Sequence, residues 1–138
     1  MDYVGYFASA ALGVIGYVGA QFAVKPISEL RTTREAIAKS LVLFANADTV
    51  VNVTGSDDAR AREARAKYRE LASTLIAQAN SIPFYGVWSC LRITPTFKDI
   101  EKARANLIGL SNAVGVQGQS LDNSRRQQNI EQALRLRA

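Results

Sequence analysis

YVGYFASAALGVIGYVGAQFAV, residues 3–24, runs for twenty-two positions without a formal charge and is followed at once by Lys25 and Pro26. As a helix rising about 1.5 Å per residue it reaches roughly 33 Å, enough for a hydrocarbon core of about 30 Å. Its insertion energy is modest. Eight large apolar residues (Val4, Phe7, Leu12, Val14, Ile15, Val18, Phe22 and Val24) supply roughly −2 to −5 kcal/mol, while ten positions are Gly, Ala or Ser. A cleaved export signal needs a basic n-region, and only Met1 and Asp2 precede the run. A core helix of a water-exposed domain needs a polar face, and this run has none. The expectation is a single transmembrane helix.

Charge orients that helix. No Lys or Arg precedes the run, whereas Lys25, Arg31, Arg34 and Lys39 follow closely, so the N-terminus is expected outside and the remainder cytoplasmic, at the inner membrane. Tyr3 and Tyr6 suit the outer headgroup level. Gly5, Ser9 and Gly13, and again Gly16 and Ala20, recur four apart and make one smooth side. In lipid such a side lets helix backbones approach, which marks it as a packing face for a second copy or another membrane subunit. Lys25, Arg31 and Arg34 are candidate contacts for anionic lipid heads.

Beyond the run the pattern is helical almost throughout. The residue before a proline resists the α conformation, so a break is expected at Pro26. Ile27, Leu30, Ile37, Leu41 and Phe44 then keep helical spacing, and the pattern continues to about residue 53. Ser56-Asp57-Asp58 reads as a cap with acids at the positive helix end. The helix it starts, about 57–81, lines up Ala61, Ala64, Tyr68, Leu71, Leu75 and Ala79. Glu63 with Lys67 and Asp58 with Arg62 are spaced for surface ion pairs.

Residues 82–93, IPFYGVWSCLRI, form a second apolar concentration, too short to cross a bilayer as a helix. Phe84, Tyr85 and Trp88, the sole tryptophan, either complete the bundle core or contact the membrane interface or a partner. Thr96 with Asp99 forms a capping-box pattern opening a helix to about residue 114, with Phe97, Ile100, Leu107, Leu110 and Val114 on its apolar side. GVQGQS breaks it. A last amphipathic helix, about 122–137, carries Ile130, Ala133 and Leu134 on a weakly apolar side, and the sequence leaves open whether it docks or stays mobile until a partner covers it. The chain thus divides into an anchor (1–26), a helical bundle (27–114) and a loop with a C-terminal amphipathic helix (115–138). Its fold class is all-α: one N-terminal transmembrane helix, then a small antiparallel bundle of about four helices, one short and aromatic.

The chemistry is sparse. There is no histidine and one cysteine, which excludes a His/Cys metal cluster, an internal disulfide and a histidine-dependent triad. Cys90, among large apolar residues, is expected to be buried and inert. Acids cluster only at helix starts, where capping explains them. No phosphate loop or nucleophile elbow occurs, so no enzyme, cofactor or small-molecule substrate is expected. Seventeen Lys and Arg face eleven Asp and Glu after Asp2, a net of +6. The stripe Arg62, Arg65, Arg69 and the C-terminal arginines, among them Arg135, are candidates for phosphates or anionic lipid heads but read chiefly as solvated faces. Nucleic acid is not an expected partner, because aromatic platforms are missing among the basic residues. Asn46 and Asn106, beside apolar stripes, are candidates for buried cross-links between helices.

The reading these features favour is a non-enzymatic, single-pass membrane protein acting as a structural or accessory interaction subunit. Its partners would be the lipid bilayer and either copies of itself or other membrane-protein subunits. Two alternatives are a membrane-perturbing or pore-forming effector and a membrane-tethered nucleic-acid-binding protein.

Overall fold

Helical periodicity carries through almost the whole chain. A computed structural model describes residues 3–45, 56–116 and 120–136, and all regular structure among them is helical: α1 (Tyr3–Gly19), a π-helical turn (Ala20–Val24), α2 (Lys25–Leu43), α3 (Ser56–Ser81), α4 (Tyr85–Cys90), α5 (Phe97–Ala113) and α6 (Ser120–Leu134). The second helix, expected to run to about residue 53, ends at Leu43 with Phe44 as its C-cap; the side chains of Tyr3, Tyr6, Asp57 and Asp58, and Asn46, lie outside the described residues.

The apolar run is helical but does not form the uninterrupted span expected of it. Pro26 has no N–H to give the carbonyl of Phe22, and in a regular α-helix its ring would collide with that carbonyl. The helix meets this by widening over Ala20–Val24 into a π turn before α2 restarts, with Pro26 in its first turn. The expected break at Pro26 is therefore a change of winding upstream of the proline. With α1 limited to 17 residues, no helix among the described residues is long and apolar enough to cross a membrane.

Four long helices pack in sequence around one core. Contacts join α2 to α3, α3 to α5 and α5 to α6, and α6 returns to α2. The start of α3 meets the end of α2 (Arg60 to Leu43) and the end of α5 (Arg65 to Val114), and the first half of α2 meets the end of α6 (Arg34 to Leu134), so neighbours run antiparallel in an up-down-up-down bundle. The seam follows spacings of three and four. Leu30, Thr33, Ile37, Leu41 and Phe44 on α2 and its C-cap, and Ile100, Ala103, Leu107 and Leu110 on α5, are all buried. On α3 every residue of the expected stripe, from Ala61 to Ala79, is buried. Phe44 and Tyr68 meet edge to face, ring centroids 5.9 Å apart, where Ala61 and Ala64 leave room for large partners. The C-terminal helix, whose docking the sequence leaves open, docks chiefly on α5: Asn123, Ile130, Ala133 and Leu134 of α6 are buried. Phe97, expected in the core, stands at its edge and braces Tyr85.

Helix ends are closed by specific chemistry. The Thr96/Asp99 capping box is formed, with Asp99 N–H donating to Thr96 Oγ1 at 3.2 Å and Thr96 N–H to Asp99 Oδ2 at 3.3 Å. The C-terminal ends of α2, α5 and α6 carry no basic residue in their last turns. Arginines on other helices serve them instead. Arg60 donates to Leu43 O at 3.1 Å, Arg65 donates through Nε and Nη2 to Val114 O at 3.1 and 2.7 Å, and Arg34 donates to the carbonyls of Leu134 and Arg135. Each places positive charge at the negative end of a helix dipole while tying two helices together.

Candidate functional site

One end of the bundle, here called its base, gathers the features that bear on function. There α2 begins at Lys25, α3 ends at Ser81, α5 begins at Phe97 and α6 ends at Leu134. The uncharged helix joins α2 at this same end. Among the described side chains of residues 3–24, Leu12, Val14, Tyr17, Val18, Phe22 and Val24 are all exposed. Nothing lies within 4 Å of a Cβ built on Gly13 or Gly16, so this side has open space along it, and Ser9 is exposed too. Gly5 lies in α1 and Ala20 in the π turn, but their side-chain surroundings fall outside the described residues.

Between α3 and α5 the chain folds α4 across the base. Pro83 and Phe84 make the entry, and Phe84 stands in the left-handed region at φ 53°, a position bulky residues rarely take. The exit is a Schellman turn: Ile93 N–H donates to Trp88 O and Arg92 N–H to Ser89 O, both at 3.0 Å, with Arg92 at φ 59° where glycine is usual.

This turn sorts the aromatic residues by their polar ends. Tyr85 hydroxyl donates to Pro95 O at 2.8 Å and Trp88 Nε1 donates to Pro83 O at 3.0 Å, so both rings lie half-buried against the core. Burial also raises the Tyr85 pKa above its ordinary 10.0. Phe84 has no polar atom to satisfy and projects at 84% exposure, beside Val87 at 56% and Leu91 at 61%. Residues 82–93 therefore divide between the two readings: Ile82 is core, Tyr85 and Trp88 seal the base, and Phe84, Val87, Leu91 and Ile93 face outward. Of the candidate contacts Phe84, Tyr85 and Trp88, only Phe84 is freely presented.

Positive charge rims this apolar patch. Ile93 lines a cleft of about 380 Å³ whose walls include Arg31, Arg34 and Arg135. It also lines a smaller one of about 130 Å³ with Ile27, Leu30 and Thr94. Arg34 Nε and Thr94 Oγ1, which border the smaller cleft, are buried without a hydrogen-bond partner. Burial, then the charges of Arg135 and Arg31, lower the Arg34 pKa, so its cationic form is held against an unfavourable field. Lys25 is exposed, and Arg31 is exposed with Glu35 at 3.4 Å.

Other expected roles are revised by packing. Cys90 is exposed rather than buried, because α4 turns it away from the core. Asn106 bonds back to Lys102 O of its own helix at 2.7 Å, and the buried asparagine is Asn123, with Oδ1 accepting from Arg126 at 3.0 Å. Lys67 pairs with Glu70 at 3.0 Å, three residues on, instead of Glu63. In the stripe read as solvated, Arg65 caps α5, and Arg69 donates to Ser111 Oγ and Asn112 Oδ1 at 3.3 and 3.2 Å. Val87, Leu91 and Arg92 were not singled out from sequence, unlike Arg135. Their clue is the run VWSCLR itself, whose apolar positions 87 and 91 are four apart.

The fold and this surface define an all-α bundle with an exposed apolar helix and an apolar, arginine-rimmed base. Compared with family models, with curated proteins and with solved structures, the chain matches none.

Proposed function

We propose that the chain is a membrane-anchored, non-enzymatic structural or accessory subunit, with residues 3–24 set in lipid as a single span and the bundle at the cytoplasmic face of the inner membrane. The observation that carries this reading is the exposure of the apolar side chains on an uncharged helix that joins a well-packed bundle at its base. In water those side chains would carry a large unfavourable transfer term; in lipid they carry none. α1 alone, at about 25 Å, falls short of the hydrocarbon thickness, and the five residues of the π turn with modest local thinning of the bilayer make up the difference. The open side at Ser9, Gly13 and Gly16 supports association with a second copy or another membrane helix.

Extraction tests it directly. Full-length protein in native membranes is expected to resist alkaline carbonate, and in mild detergent to migrate as an oligomer or with copurifying subunits. Release by carbonate would defeat the anchor, and a strict monomer that copurifies with nothing would defeat the subunit role.

A further inference from the structure

We propose that the base of the bundle is itself a lipid-docking surface: Phe84, Val87 and Leu91 enter the headgroup and acyl boundary of an anionic leaflet while the arginines around Ile93 engage lipid phosphates. This rests on the reading of residues 3–24 as a membrane anchor and names the second contact that anchor brings about.

Position carries the first part of the argument. Ile27 lies only about 5 Å along the helix axis from Val24, and it shares a cleft with Ile93 and Pro95. The α4 turn therefore sits level with the point where the apolar helix ends. A bilayer that holds residues 3–24 meets α4 at its surface.

Chemistry carries the second. Tyr85 and Trp88 turn their polar atoms inward onto Pro95 O and Pro83 O, leaving the hydrocarbon side chains of Phe84, Val87 and Leu91 outward, with Cys90 exposed on the same short helix. At its edge Ile93 lines the cleft walled by Arg31, Arg34 and Arg135, where Glu35 pairs with Arg31, and an apolar face beside net positive charge is what an anionic interface favours. Three charges already crowd each other at Arg31, Arg34 and Arg135. A phosphate in the cleft walled by Arg31, Arg34 and Arg135 would relieve that repulsion. Two of the basic residues, Arg92 and Arg135, occupy left-handed positions at φ 59° and 52°, where glycine is the less strained choice. A protein or second copy would be the competing occupant, but the level of α4 beside the anchor and the sign of the rim favour lipid.

Trp88 is the sole tryptophan and Val87 and Leu91 flank it, so its fluorescence reports contact. Full-length protein would be reconstituted in vesicles of equal parts phosphatidylcholine and phosphatidylglycerol, with and without bromines on the upper acyl chain. Wild type is expected to float with the vesicles and to show Trp88 quenched by the brominated lipid. In phosphatidylcholine alone the quenching should weaken, since each basic residue near an anionic surface contributes a factor of about five in binding. The double variant Val87→Ser, Leu91→Ser alters exposed positions only, and should float equally while losing the quenching. Wild type that floats with Trp88 unquenched would overturn this proposal and leave the anchor standing. Protein that does not float would remove the anchor and this proposal together. Cys90-to-Cys90 crosslinking between copies, with no quenching, would assign the patch to self-association and overturn lipid docking.

Discussion

Asn123 is fully buried on α6, yet only its carbonyl oxygen is satisfied; Nδ2 has no partner. Removing a buried unsatisfied donor recovers its desolvation cost, so Asn123→Leu is expected to raise unfolding free energy by about 1 kcal/mol, measured by urea denaturation in mild detergent. Arg65 is the opposite case. Its guanidinium makes two bonds to Val114 O, and Arg65→Ala should cost about 2 kcal/mol, with Arg65→Lys restoring only part because an ammonium lacks the paired geometry. Tyr85 adds a pH dependence. Its folded-state pKa is raised, so the neutral phenol is favoured by folding; that stability is complete below the ordinary value of 10.0 and is lost as pH climbs above it. Alkaline denaturation of wild type should be steeper than that of Tyr85→Phe, which has no phenol to ionise. None of these three roles was legible in the sequence, since each depends on a carbonyl or an apolar wall supplied by another segment.

Among the helices, what could be read was what local periodicity encodes. The α3 stripe and the Thr96/Asp99 cap are where their spacing puts them, because a helix face is set by 3.6 residues per turn and a cap by three-residue geometry. What could not be read was set by neighbours: the docking of α6, the arginine closures of three helix ends, and the choice of Glu70 over Glu63 by Lys67. The short α4 was ambiguous for a further reason. In twelve residues the same apolar composition serves a core or an outward face, and only the hydrogen bonds of Tyr85 and Trp88 separate them. Its exit turn yields a prediction. Arg92 pays the left-handed penalty of a side chain bearing Cβ, so Arg92→Gly should stabilise the bundle by about 1 kcal/mol in the urea assay. On the proposed reading the same change weakens binding to anionic vesicles, a cost and a gain that a purely structural arginine would not couple.

For the molecule as a whole, a bundle closed by its own side chains joins a helix with no polar side at all. Composition made that contrast plain, with charges absent from Tyr3 through Val24 and abundant after it. The π turn upstream of Pro26, which shortens the regular part of the helix, was not foreseen, because a proline signals a disturbance without saying which turn will absorb it. The account turns on residues 3–24 being covered by lipid, and Leu12, exposed at mid-helix on α1, is the place to measure it. In a Cys90→Ser background, Leu12→Cys should resist a water-soluble maleimide in intact vesicles and react once detergent and denaturant are added. Labelling of Leu12→Cys in intact vesicles as fast as Lys39→Cys on the bundle would contradict the account.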